Sequence, residues 1–305
     1  MYILNKDGNY KNLEYIKSIV EKNCKLKVNS IKLLGSGNDS YVYEVNLEFV
    51  FKFPRHKKAN LNILKEIDIL EFLRDKISFN IPEVVFKGEY TDIDTYIFVG
   101  LTKIKGEPLS KEIYHKLNEL EKDNLAKELA KFLKELHSFK YDKYKEDNIK
   151  KYKQDFVKLK ELIYENLEEE VKEKINNMYQ KLFLNEDFLN VENALIHNDF
   201  SCENILFDLN EKKISGIIDF GDSCVSDIDR DFYYLLEDSD EELGKEFGLK
   251  VLEYYGYNNI DRILRKAKFY EKYWTIEQII YGYEYNYKDW IKEGIENLKS
   301  IDFRI

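Results

Sequence analysis

The sequence predicts an α+β fold in two lobes: a small β-rich N-terminal lobe, then a larger, mainly helical C-terminal one. Three observations carry this expectation. Short apolar runs broken by turn residues fill most of the first hundred positions. Apolar residues at helical spacing dominate the rest. One strand–turn–strand segment, 205–218, interrupts the helical part. The expected boundaries are 1–101 for the first lobe, 102–108 for a hinge and 109–305 for the second lobe.

Each element follows from local pattern. Ile31 to Gly35 and Tyr41 to Val45 read as strands around the polar turn Gly35-Ser36-Gly37-Asn38. Tyr41, Tyr43 and Val45 alternate as a half-buried strand should. Phe49-Val-Phe-Lys-Phe-Pro54 is a third strand. A helix follows over about 60–74, with Leu61, Ile63, Leu64, Ile67, Leu70 and Leu73 apolar and Glu66 bordering that stripe. Tyr96 to Leu101 is the last strand of the lobe. Thr102-Lys-Ile-Lys-Gly-Glu-Pro108 is polar and holds both Gly and Pro, hence the hinge. Leu125, Leu129, Phe132, Leu133 and Leu136 then repeat with helical period, as do Leu159 through Leu182 across 151–184. The aromatic cluster Tyr281 to Tyr287 lacks basic neighbours and reads as helix packing rather than base stacking.

The chemistry concentrates in two short motifs. The first is His197-Asn-Asp199-Phe-Ser-Cys-Glu-Asn204; the second is Asp219-Phe-Gly-Asp222, after the apolar run Ile214 to Ile218. A carboxylate, an Asn five residues later, and an Asp-Phe-Gly beyond a hairpin match what kinase-type sites use to handle a metal-bound triphosphate. Asp199 is the candidate to accept the attacking hydroxyl's proton. Asn204 and Asp219 offer hard oxygens suited to Mg²⁺. His197 reads as a buried residue fixing the loop. Lys52, between phenylalanines, needs an anionic partner because burying a lone ammonium is costly; Glu66 of the next helix is the expected one. Ser36 and Gly37 lie in a turn whose N–H groups suit phosphates. Its third glycine position is Ser40, so the turn is a weak signal alone. No P-loop motif is present.

Composition narrows the class. An apolar share of 44% and a charged share of 35% describe a globular chain with a sizeable core. The net charge of −10 argues against general nucleic-acid or anionic-membrane binding. Three cysteines without zinc-type spacing point to a reducing compartment. The stretch Met1 to Gly8 carries no apolar signal core, and no run approaches 18 apolar residues. A cytoplasmic monomer is expected.

The chain resembles the aminoglycoside phosphotransferases, and among them is similar to the 2''-phosphotransferases that inactivate gentamicin, tobramycin and kanamycin. The matching stretches are Gly-Ser-Gly-Asn-Asp-Ser at 35–40, Phe-Lys-Phe-Pro at 51–54, Ile-Pro-Glu-Val-Val at 81–85 and Thr-Lys-Ile-Lys-Gly at 102–106. Ile-His-Asn-Asp-Phe-Ser at 196–201, Gly-Ile-Ile-Asp-Phe-Gly-Asp at 216–222 and Glu-Lys-Tyr-Trp at 271–274 complete them. The resemblance implies a bilobal protein-kinase-like fold with the nucleotide in the interlobe cleft, and an antibiotic-resistance activity. It implies Asp199 as catalytic aspartate, Asn204 and Asp219 as Mg²⁺ ligands, and Lys52 on the phosphates, oriented by Glu66. The purine of ATP or GTP would meet the backbone at Thr102 to Ile104, with Leu101 gating the pocket.

The acceptor side has its own signal. Between Asp219 and Glu246 stand eleven acidic residues against Arg230 and Lys245 alone. A negative basin favours a polycationic substrate such as an aminoglycoside. Asp222, Glu237, Asp238, Glu241, Glu242 and Trp274 are the expected substrate residues; Asp227 and Asp231 are expected to anchor the catalytic loop. The plain alternative is an acidic helix start at 238–242. Two other functions compete: a kinase of choline, homoserine or a thiosugar, and an inactive nucleotide-binding module. A protein kinase is disfavoured, because no Ala-Pro-Glu follows and Asn198 stands where an Arg would precede the aspartate.

Overall fold

The computed structural model describes residues 13–37, 39–91 and 94–300. Asn38 of the glycine-rich turn and the Met1–Gly8 stretch lie outside the described residues. Packing divides the chain into two compact units, Met1–Leu109 with Glu203–Ser223, and Ser110–Cys202 with Cys224–Ile305.

In the first unit, helix α1 (Leu13–Cys24) precedes a five-stranded sheet. Its strands are β1 (Ile31–Ser36), β2 (Ser40–Val45), β3 (Phe49–Pro54), β4 (Val84–Thr91) and β5 (Thr95–Thr102). They lie antiparallel in the order β1-β2-β3-β5-β4. The period-2 pattern explains the core: Tyr41, Tyr43 and Val45 point inward with Phe51, Phe53 and Phe98. Phe53 stacks on Phe98 at 4.8 Å between ring centroids. Each such ring, fully buried, contributes about 1.5–3 kcal/mol.

Helix α2 (Lys57–Leu73) links β3 to β4. His56 caps it, its Nδ1 accepting from the Ala59 N–H. Ala59, Ile63, Glu66, Ile67, Leu70 and Leu73 are buried at helical spacing. Leu61, expected on that stripe, instead faces outward and is 63% exposed. Glu66 lies within the stripe rather than at its border.

Sequence order places the 205–218 hairpin inside the helical half, but packing groups it with the first unit. Strands β8 (Ile205–Asp208) and β9 (Lys213–Ile217) pair antiparallel. The two-residue strand β6 (Glu107–Pro108) pairs with β8, and Asn80 accepts from the Ile217 N–H and donates to the Ser215 carbonyl. Gly106, at φ +141°, permits the approach: a Cβ there would sit 2.2 Å from Ser215 Oγ.

The second unit is mainly helical. It holds α3 (Lys111–Lys116), α4 (Glu119–Ser138), α5 (Asn148–Ile163), α6 (Glu169–Leu184) and α7 (Glu186–Leu189). After them come β7 (Asn193–Ile196), β10 (Cys224–Asp227), α8 (Tyr233–Leu236), α9 (Lys245–Tyr255), α10 (Ile260–Tyr285) and α11 (Lys288–Ser300). Strands β7 and β10 pair antiparallel. An Asn118/Glu121 capping box starts α4. The helical pattern over 151–184 resolves into two helices, not one. Leu167 turns inward at the break, and Glu169 and Glu170 supply the acidic first turn that favours a new helix start. Among the described residues, no helix is long and apolar enough to cross a membrane.

Candidate phosphate-handling site

The centre of the first unit is a three-residue ion cluster. Lys52 sits on β3 between Val42 of β2 and Val99 of β5. Its Nζ lies 2.7 Å from Glu66 Oε1 and 3.0 Å from Asp219 Oδ1. Burial alone would lower the ammonium's pKa; Asp219 first, and then Glu66, outweigh it, so the pKa is raised. Glu66 is 1% exposed. Burial pushes its carboxyl up, while Lys52 and the Phe220 N–H pull the other way. A helix, a central strand and the turn after β9 are thereby tied together.

The hairpin positions the two oxygen donors. Ile205 faces Ile217, and the Ile218 N–H donates to the Asn204 carbonyl at 2.9 Å. Asn204 therefore enters one strand beside the point where Asp219 leaves the other. Asp219 adopts a left-handed conformation, φ +64°, which Asp tolerates better than most residues. That turn aims its carboxylate at Lys52 and leaves the side chain about half exposed (48%). Among the described residues, no cluster of three or more His, Cys, Asp or Glu is placed to hold a metal. One amide and one carboxylate fit Mg²⁺, which commonly takes few protein ligands and fills its shell with phosphate oxygens and water.

The remaining nucleotide candidates are in the same unit. Ser36 closes β1, and a Cβ built on Gly35 would meet nothing within 4 Å. Leu101 is buried in β5. The Thr102 N–H donates to the Glu83 carbonyl at 2.9 Å, and the Lys103 N–H to the Glu48 carbonyl at 2.8 Å. Ile104 is buried just beyond.

Asp199 belongs to the second unit, in a loop held at both ends. Asp231, fully buried, accepts from the His197 N–H at 2.9 Å, from the Asn198 N–H at 2.6 Å and lies 3.0 Å from His137 Nε2. Asn198 is left-handed, φ +67°, and its Oδ1 accepts from Arg230 Nε at 2.6 Å. Phe200 stacks on Phe132. The Cys202 N–H reaches the Glu242 carboxylate at 3.2 Å.

The acidic stretch separates into internal and outward groups. Asp227 and Asp229 are internal: both grip the fully buried Lys266, and Asp229 accepts from Tyr257. Sequence reading missed Lys266, whose place on an aromatic-rich helix gives no signal of its partners. Glu242 is 4% exposed, and burial raises its carboxyl to about 7. Burial also raises Glu237, with Glu271 and Glu241 adding to it. Asp238 Oδ1 accepts from the Lys245 N–H at 2.8 Å, capping α9. Residues 238–242 thus precede a helix rather than begin one. Glu241 is exposed. Trp274 is 48% exposed and meets Trp290 edge-on at 6.1 Å. Asp222 lies in the first unit, exposed, beside Asn62.

The profile of the phosphotransferase enzyme family APH matches residues 30–270. This chain belongs to the aminoglycoside phosphotransferase (APH) family. Solved APH structures agree over nearly the full length. The gentamicin complex of APH(2")-IIa is 34% identical, with 99% of this chain and 98% of that one covered and a TM-score of 0.84. ADP-bound aminoglycoside phosphotransferase APH(2'')-Ib is also 34% identical, covering 95% and 97%, with a TM-score of 0.80. The GDP and kanamycin complex of APH(2")-IIIa is 29% identical, covering 94% and 97%, at 0.83. The fold is accordingly the protein-kinase-like α+β fold of the APH enzymes.

Proposed function

We propose that this APH-family chain transfers the γ-phosphate of ATP or GTP to a hydroxyl, the 2'' hydroxyl, of a 4,6-disubstituted aminoglycoside. The observation that carries the reading is the Lys52–Glu66–Asp219 cluster beside Asn204 in a chain 34% identical to a gentamicin-bound phosphotransferase. Lys52 holds the nucleotide phosphates, and Glu66 keeps its ammonium in place. Asn204 and Asp219 would hold Mg²⁺, which when bound supplies neutralisation of charge on the phosphate oxygens. The Gly35–Gly37 turn, open where a side chain would stand, lets backbone N–H groups approach the phosphates.

The purine is read by the Thr102 carbonyl and the Ile104 N–H, since the Thr102 and Lys103 N–H groups already donate elsewhere. Leu101 gates the base and is small enough to admit both purines. Asp199 orients the acceptor hydroxyl and takes its proton. Asp222, Glu237, Asp238 and Glu241 attract the ammonium groups, with Trp274 against a sugar face. Glu242, being buried, holds the Cys202 N–H rather than meeting the drug.

Purified protein with Mg²⁺ should phosphorylate kanamycin, tobramycin or gentamicin with either nucleotide, and NMR of the product should place the phosphate at 2''. No nucleotide consumption above background with all three removes the substrate assignment. Turnover with only one nucleotide removes dual use.

A further inference from the structure

We infer that Asn62 is a positioning residue that fixes the glycine-rich turn relative to the turn carrying Asp219. Asn62 stands on α2 four residues before Glu66, so both lie on one face of the helix. Glu66 grips Lys52 from that face. Asn62 reaches two other segments. Its Nδ2 lies 2.9 Å from Asp39 Oδ2 and 3.4 Å from Asp222 Oδ1, the second a longer and weaker contact. A side-chain amide carries two N–H donors, enough for both carboxylates.

The two acids are well placed for this purpose. Asp39 directly precedes β2, on the far side of the turn after β1, and Asp222 follows Asp219 by three residues. The same turn is held from the start of α2 as well. Arg55 Nη1 donates to the Gly37 carbonyl at 2.6 Å, the Arg55 N–H to the Asp39 carbonyl at 2.8 Å, and His56 Nε2 lies 3.4 Å from Asp39 Oδ1. Those contacts reach only the turn. Asn62 also reaches the Asp219 side, through a neutral amide donor. The inference rests on reading 35–39 as the phosphate-covering turn.

The test is steady-state kinetics with ATP and GTP at saturating acceptor, and with acceptor at saturating nucleotide, for N62A, N62D and the swap N62D/D39N. N62A should raise the nucleotide KM about tenfold, the scale of a lost hydrogen bond to a charged group, and raise the acceptor KM by less, because its contact to Asp222 is the longer one. N62D sets a third carboxylate beside Asp39 and Asp222 and should raise the nucleotide KM further. N62D/D39N restores the Asp39 pair with donor and acceptor exchanged, and should recover part of that loss. A nucleotide KM within twofold of wild type in both single variants overturns the inference. So does a parallel rise of both KM values with a lowered melting temperature, which marks a purely structural role. Failure of the wild-type protein to bind or consume either nucleotide overturns the proposed function itself.

Discussion

Removing the Glu66 carboxylate probes the centre of the site. Glu66 Oε1 is 2.7 Å from the Lys52 ammonium, and Asp219 Oδ1 is 3.0 Å away on the same group. Stranding a buried charge by deleting its partner costs about 3–5 kcal/mol. Lys52 is not stranded in Glu66→Ala, because Asp219 still holds it. The loss is then at least that of one charge-assisted hydrogen bond, about 1.5–3 kcal/mol, since the Phe220 N–H also loses its acceptor. At about 1.4 kcal/mol per factor of ten, kcat/KM for the nucleotide should fall roughly ten- to hundredfold. Glu66→Gln keeps an acceptor oxygen and should fall less. The assay is initial-rate nucleotide consumption at saturating aminoglycoside, with a thermal melt to separate folding from function. Values for Glu66→Ala within twofold of wild type would refute the assigned role of the pair.

Two further outcomes are expected. Asp199→Ala should abolish phosphate transfer while nucleotide affinity, measured by calorimetry, stays within a few-fold; near-normal turnover rejects the proton-accepting role. Glu242 has a carboxyl raised to about 7, chiefly by burial, with Glu237 and Asp199 adding to the effect. The native state therefore keeps a proton that the unfolded chain releases near its ordinary value, about 4.3 for Glu. Stability from this group is present in full below that value and is lost as pH rises towards 7. Urea midpoints at pH 5 and pH 7.5 should converge in Glu242→Gln; an unchanged pH dependence in that variant excludes Glu242 as the source.

Parts of this arrangement were readable from residue order because chemistry restricts the choices. A lysine in an all-phenylalanine setting demands a carboxylate, and Glu66 on the next helix is near in sequence. The turn between Ile205–Asp208 and Lys213–Ile217 is short, so the pairing that sets Asn204 beside Asp219 follows from local pattern. Contacts between distant segments were not readable. Asn62 meets Asp222 across 160 positions, Lys266 meets Asp227 across 39, and the hairpin packs with the first unit through Asn80. None of these leaves a periodic trace. The acidic stretch shows the same limit: Asp227 and Asp231 were expected inside, and only packing adds Asp229 to them.

Arg230 has one more consequence. Protein kinases of the regulated kind place an arginine directly before the catalytic aspartate, where a phosphorylated activation segment docks and turns the enzyme on. Here the preceding residue is Asn198, and the guanidinium that steadies it arrives from Arg230, set over the Tyr270 ring. The cation beside this loop thus comes from a residue 32 positions further along the chain. Substituting Arg230 should therefore loosen the loop that carries Asp199.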